Sequence, residues 1–496
     1  MHGNVIIANF AHKLLNTIFG KSLPLIKSNK DALLALIRTG QELTLGQQLR
    51  LTFLLSLPAV LAQLSSIVMQ YIDASMVGCL GADDSASIGL VSTTIWLFGG
   101  ICSAAASGFA VQIAHLMGSS KMGDARNVAR QAILVCTAFG LIMMSLGIMI
   151  SDNLPHWLGG NENIVEKASQ YFLVFSFCVP FVQLNFLAAA ALRCSGNIKI
   201  PSMLNIMMCG LDVIFNFVFI FDSHTIDAGL LTIYVPGMGL GVVGAAWGTA
   251  VSEVITCCTM LFFLYYKSGE MAIGRFSGSY KPTMPTLKKA LRIGLPMGLQ
   301  NIVMNTAQIV STTIVAPLGS VALAANSFAI TAESLCYMPG YGIAEAATTL
   351  VGQSFGAKRK QLTISFAKIS IGMGMAVMAV MGVVLYFGAS TMLGIMTPVA
   401  DVVSMGTEAL QIEAFAEPLF GASIVAYGVC VGAGDTLVPC LMNFFSMWAV
   451  RLTLAASLAP TLGLKGVWTA MCVELCFRGC IYLYRIRSKK WLKKMG

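Results

Sequence analysis

The feature that most constrains this chain is a recurring apolar run. Stretches of about twenty residues with almost no charge lie near 51–77, 86–113, 128–150, 163–190, 200–221, 240–266, 290–316, 321–351, 363–388, 405–430, 437–459 and 465–486. A run of that length in lipid must satisfy its backbone hydrogen bonds internally, so each is read as a helix. Composition excludes the soluble alternative. Hydrophobic residues make up 56% of the 496 and charged residues 11%, against about 25% charged in a soluble domain. With so few charges, a soluble protein of this length could not cover its surface. The expected fold class is an all-α polytopic membrane protein with twelve transmembrane helices.

Charge then reads as topology. Basic residues gather between alternate runs: Lys121, Arg126 and Arg130; Arg193 and Lys199; six from Lys267 to Arg292; Lys358, Arg359, Lys360 and Lys368; and the tail "YRIRSKKWLKKMG". The intervening loops carry Asp83, Asp84, Asp152, Glu162, Asp222, Asp227, Asp401 and Glu408, with Lys465 the one outer lysine. The positive-inside rule then places both termini in the cytoplasm and the chain in the inner (plasma) membrane. The net charge of +9 suits an anionic inner leaflet. No aromatic and basic residues interleave as a nucleic-acid surface needs, so no nucleic-acid partner is expected. Residues 1–50 show no signal-peptide pattern and read as an amphipathic interfacial segment. Most of the 14 cysteines, such as Cys136, Cys178, Cys209 and Cys440, lie in apolar runs and act as small hydrophobes. Cys472, Cys476 and Cys480 share a helix face without a histidine or CxxC partner, so neither a metal site nor a disulfide framework is expected.

The chain also repeats itself. Pro58 and Pro296, Gly81 and Gly319, Gly118 and Gly356, Pro201 and Pro439, and Asn205 and Asn443 are all separated by 238 residues. The register breaks only at 222–239 and resumes as "LGVVGAAW" against "LGLKGVW". The protein is read as two pseudo-symmetric six-helix lobes, 51–266 and 290–486, joined by a basic linker at 267–289 and followed by a tail at 487–496. Six is even, so the halves share one orientation, as in many secondary transporters.

The repeat gives an internal control on polar residues. Asp73, Asp212 and Asn216 correspond to Ser311, Val450 and Leu454. The architecture is duplicated and these groups are not, which points to function. An aspartate in a span costs about 2.5–3.5 kcal/mol. Asp212 and Asn216 lie one turn apart on one face. A buried aspartate beside Asn, Thr and a second Asp can take a proton or a hard cation such as Na⁺ through oxygen. Asp73 facing water at the outer end of its helix, and Thr249 bonding its own backbone, are the structural alternatives. Glu253 and Glu474 fall at matching places in the two halves, which favours a structural role for both.

The ordered motifs "P…Q…D..MVG.LG", "LVGQSFGA", "R.SG...P" and "G..GAAW.T" resemble the MATE family of multidrug and toxic compound extrusion transporters. They comprise Pro58, Gln63, Asp73, Met76 to Gly78 and Gly81; Val351 to Gln353; Arg193, Ser195, Gly196 and Pro201; and Gly241, Gly244 to Ala246 and Thr249. The resemblance spans about residues 45–490. It implies a cation-coupled antiporter, not an enzyme, that exports small organic cations against Na⁺ or H⁺ by alternating access. It needs no cofactor and no metal beyond the coupling ion, and works as a monomer in the lipid bilayer. In one branch the coupling site uses an acid in helix 1, an Asn/Asp pair in helix 5 and a threonine in helix 6. These carry over to Asp73, Asp212, Asn216 and Thr249, with the helix-5 order reversed. In another branch carboxylates of helices 7 and 10 serve; Met304 and Phe420 stand there, and Glu417 is either a displaced substitute or the cap of a helix start. Gln63, Tyr71, Gln183, Glu345 and Glu417 are the expected cleft residues, and Glu333 is either cleft or ordinary cavity lining. The GxGxxG at Gly239, Gly241 and Gly244 lacks the preceding strand and distal acid of a nucleotide site and better serves helix packing. A lipid-linked oligosaccharide flippase is the related alternative, which the scarcity of cations in the spans disfavours. A membrane enzyme would need a HExxH, GxSxG or P-loop pattern, none of which is present.

Overall fold

A computed structural model describes residues 23–227 and 232–495. The expected segment 1–50 therefore lies partly outside the described residues. Its described part forms α1 (Leu23–Thr39) and the start of α2. In the first half the spans are α2 (Leu45–Gly78), α3 (Ala82–Gly118), α4 (Met122–Ser151), α5 (Glu162–Cys194), α6 (Lys199–Ile220) and α7 (Gly241–Phe262). The second half holds α8 (Met284–Val315), α9 (Ser320–Gly356) and α10 (Lys360–Met396). It continues with the pair α11 (Ala400–Glu413) and α12 (Glu417–Gly432), then α13 (Leu437–Phe445) and α14 (Leu452–Leu462) joined through a π-helical turn, and α15 (Leu464–Arg487).

Helices outrun the apolar runs because their ends leave the hydrocarbon. α2 starts six residues before its run, fixed by a capping box in which Thr44 accepts from the Gln47 N–H and Gln47 accepts from the Thr44 N–H (3.3 and 2.9 Å). Gly81 and Gly319 sit at φ +135° and +103°, outside what an L side chain tolerates, and start α3 and α9.

Two features depart from twelve plain helices. The extra residues after α6 form an antiparallel hairpin, β1 (Asp222–Asp227) with β2 (Thr232–Met238), whose register slips between Asp222 and His224. The tenth span is broken: α11 and α12 meet at 62°, and Pro418 in the first turn of α12 cannot continue the preceding helix. Among the described residues ten helices are long and apolar enough to cross a membrane, and eleven spans result if the bent pair is one. α8, with 32 residues, is long enough but carries Lys288, Lys289, Arg292, Gln300, Asn301 and Asn305, so composition alone does not count it.

The lobes meet along α2, α3, α8 and α9, and small residues make the approach possible. A Cβ on Gly118 would collide with the Gln353 carbonyl, and one on Gly356 with that of His115. Polar bonds close the same end of the seam. His115 Nε2 bonds the Gly432 carbonyl (2.8 Å), Gln353 donates to the Cys194 carbonyl (2.9 Å), and Thr349 donates to that of Arg193 (3.2 Å). This is the end where the basic residues gather. α1 lies across it. Leu33, Leu34 and Ile37 are buried in a core cluster that also holds Phe355 and Ile198, each side chain stabilising by about 1.5–3 kcal/mol when fully covered. Lys30 and Arg38 donate to the Gly196 and Ser195 carbonyls of the first lobe, and Arg359 of the second donates to the Leu36 carbonyl. The described part of the N-terminal segment is thus docked on protein across both lobes.

Candidate functional site

Within the first lobe, α2, α6 and α7 bring the non-duplicated polar residues together. Asn216 Nδ2 donates to Asp73 Oδ1 and to Asp212 Oδ2, each at 3.0 Å. Asp212 and Asn216 are 1% exposed and Asp73 is half-buried. The meeting depends on Gly248, where any side chain would land on the Asn216 amide oxygen. Thr249, the next residue, turns its hydroxyl toward Asp212. The charged groups acting on Asp212 are Asp73 and Glu253, both acidic. Two carboxylates held by one amide repel each other unless a proton or cation joins them. Asp212 Oδ1 and Asn216 Oδ1 are buried oxygens without a hydrogen-bond partner. The donor set of two carboxylates, an amide oxygen and a hydroxyl fits a proton or a hard monovalent cation. Among the described residues no group of three or more His, Cys, Asp or Glu is spaced to hold a metal ion.

Beside this cluster lies a cavity of about 460 Å³ in the first lobe. Thr249 and Tyr171 line it, and Tyr171 is also within electrostatic reach of Asp73 and Asp212. Arg193 and Glu345 line the cavity toward the basic end, 3.5 Å apart, and Gln63 donates to Glu345 at 3.3 Å. That trio crosses the seam, because Glu345 belongs to α9. Asn185 and Glu253 form a second polar pair in the wall, at 2.7 Å, with Phe175 and Phe186 nearby.

The expected cleft residues divide. Gln63 and Glu345 line the cavity. Tyr71 instead donates to the Thr331 carbonyl across the seam, at 2.9 Å. Gln183 is fully buried and lines no part of this cavity. Val182, Asn185, Phe186 and Ala189 present one face of α5 to the cavity, and Gln183 lies about 100° round the helix from Val182, against Gly140 of α4. Glu417 is also fully buried and outside the cavity. It starts α12 at the helix break, packed on Gly382 of α10. Glu333 and Glu413 stand near it, and the second of these escaped sequence reading because it looks like one more residue of an apolar run.

The repeat also needs a correction near Glu253. Gly241 and Gly463 share positive φ (55° and 60°). Gly244 packs on the backbone of Phe219 and Ile220, and Gly466 on that of Leu458. Both glycine pairs are separated by 222 residues. In that register Glu253 corresponds to Leu475, and Glu474 to Ser252. The two glutamates point to different neighbours: Glu253 to Asn185, Glu474 to Ser446 and Arg478. Counting one residue too few across "GAAW" and "GVW" made them look equivalent.

Two halves of long helices closed at their basic end around a polar cavity define a multi-pass membrane transporter. The family profile of MatE matches residues 58–218 and again 296–456, so the chain belongs to the MatE family, and the two matches repeat the 238-residue offset. The chain is 24% identical over 444 residues to a probable multidrug resistance protein NorM of Thermotoga maritima, covering 89% of this chain and 92% of the relative. It is 26% identical over 452 residues to the NorM of Mannheimia succiniciproducens, covering 87% and 92%. A solved outward-facing multidrug resistance MATE transporter superposes with a TM-score of 0.82 at 20% identity, covering 93% of this chain and 99% of the other. A mutant of the Vibrio cholerae MATE transporter VcmN gives 0.80 at 18% identity, covering 94% and 99%.

Proposed function

We propose that the protein is a secondary active exporter that expels small organic cations in exchange for Na⁺ or H⁺. The observation that carries this reading is the Asp73–Asn216–Asp212 bridge, with its unpartnered oxygens, set against a cavity that Thr249 and Tyr171 share. A proton or Na⁺ entering the bridge changes the charge and geometry beside the cargo. It favours one lobe arrangement to the extent that it binds the two arrangements differently. By the positive-inside rule the basic end, with both termini, faces the cytoplasm of the plasma membrane. The arrangement described is then closed toward the cytoplasm, poised to release cargo outward and load the ion. Each monomer contains one complete site. The names of the NorM relatives support export of drugs. Arg193 is the only cation in the cavity lining and is paired with Glu345, which speaks against a pyrophosphate-linked lipid.

The test is efflux of ethidium from preloaded, de-energised cells after an inward Na⁺ or proton pulse. Wild type responds to one pulse, which names the ion, and Asp73→Asn does not. A wild type that ignores both pulses sinks the exporter reading, and an Asp73→Asn variant that keeps full coupling sinks the site.

A further inference from the structure

We propose that Glu253, positioned by Asn185, is the residue that recognises the positive charge of the cargo, separately from the carboxylates that take the coupling ion. The inference rests on the exporter reading above and adds to it the residue that anchors the cargo. In the structural register Glu253 has no counterpart in the second lobe, where Leu475 stands. It is therefore not a duplicated structural group, and unlike Glu474, which Arg478 neutralises, it has no cation beside it. Its surroundings agree. Glu253 lines the 460 Å³ cavity, and Asn185 is its one hydrogen-bond partner among the described residues (2.7 Å). No Arg or Lys is among the groups acting on it. Asn185 is 8% exposed and its Oδ1 has no partner. A carboxylate oxygen and an orphaned amide oxygen together suit a cationic N–H donor or an onium centre.

Charge and shape narrow the ligand. The charged side chains lining the cavity are Arg193, Glu345 and Glu253. Arg193 faces Glu345, so Glu253 is the lining carboxyl without a cation beside it, and a cargo cation would supply that partner. Tyr171, Phe175 and Phe186 supply aromatic walls for a flat or aryl body and for cation–π contact with the charged centre. Glu253 lies one helical turn from Thr249, so the cargo's charge would sit next to the ion bridge without occupying it. Entry of a coupling cation at Asp73 and Asp212 then opposes a cargo cation at Glu253 across one turn of α7.

The experiment measures binding of tetraphenylphosphonium and of uncharged triphenylphosphine oxide to the purified full-length transporter in nanodiscs, at one fixed Na⁺ concentration and pH. The readout is the ratio of the two affinities for wild type, Glu253→Gln and Glu253→Asp. Wild type should prefer the cation. Glu253→Gln should lose cation affinity by about tenfold or more, the scale of one charge-assisted bond in a desolvated site, with binding of the oxide unchanged. Glu253→Asp should keep the preference. The inference is overturned if Glu253→Gln keeps the wild-type ratio, if it loses both probes alike, or if Glu253→Asp loses the preference as fully as Gln. A wild type that binds neither probe also overturns it, and ethidium efflux then reports separately whether the exporter reading stands.

Discussion

The two lobes share one backbone plan and differ in how they treat buried charge. In the first, Asp73 and Asp212 are bridged by the amide of Asn216, and Glu253 is held by the amide of Asn185. In the second, Glu474 is 2.9 Å from Arg478 one turn along its own helix and also accepts from Ser446. Arg451 and Arg478 act on Glu333 as well. Internal guanidinium groups satisfy part of the second lobe permanently. Asp73, Asp212 and Glu253 of the first lobe meet only amides and hydroxyls, which on the exporter reading leaves their charge to be balanced by something that comes and goes. On that reading, the duplicated fold keeps one half as a counterweight and frees the other for exchange.

The largest effect should follow from removing the exchangeable half. Asp212→Asn is expected to reduce ion-driven efflux to background. It should leave the thermal unfolding midpoint unchanged or raised, because it removes a like-charge contact with Asp73. A large fall in the midpoint would make Asp212 a structural residue and erase the contrast between lobes.

Next in size is the permanent half. Arg478→Met strips Glu474 of its cationic partner in a site where both are buried, at a cost of about 3–5 kcal/mol. The double change with Glu474→Met should recover most of that, because a neutral apolar pair of similar volume needs no desolvation. Thermal unfolding in detergent measures both. If the single change is harmless, the second lobe is not neutralised by this pair.

The seam comes third. Gly356→Ala puts a methyl against the His115 carbonyl at the closed basic end. Overpacking of this kind costs about 1–3 kcal/mol, enough to shift a balanced two-state equilibrium by about 5- to 150-fold. Cys194, 4% exposed behind the Gln353 bond, should then react faster with an impermeant maleimide applied from the basic side, read by site-resolved mass spectrometry. An unchanged rate would mean that the lobes do not part there.

How much of this was legible in the sequence follows from what leaves a linear trace. Spans, the basic end and the duplication do, because lipid imposes length, charge asymmetry and register on the chain itself. Asp73, Asp212 and Asn216, which the structure brings together, stood out in the sequence because each breaks the repeat at a position where the register was secure. Glu253 was misread because the register slips by one residue near "GAAW", and a one-residue slip turns a helix by 100°. Gln183 was misplaced for a related reason: apolar residues surround α5 on all sides, so no periodicity tells its cavity face from its α4 face. The bridging of lobes by α1 could not be read at all, since its anchors are backbone carbonyls of Ser195 and Gly196 that no side-chain pattern reveals.

The smallest predicted effect is the most discriminating. Glu417 and Glu413 are fully buried at the break between α11 and α12, and all four of their carboxyl oxygens lack hydrogen-bond partners. Both are acidic and set at an irregular piece of backbone, and no cation acts on Glu417, features shared with the proposed ion site. What sets them apart is access: neither lines the cavity beside Asp212, and both side chains are fully buried. An ion that cannot reach a carboxyl cannot drive a cycle through it. Glu417→Gln should therefore leave ion-pulsed ethidium efflux within about twofold of wild type, a change below about 0.4 kcal/mol, with stability unchanged or slightly raised as an unsatisfied acid is replaced by an amide. If coupling is lost instead while Asp73→Asn keeps it, the roles of the lobes are reversed. The break in the tenth span would then be the hinge through which the second lobe takes its ion.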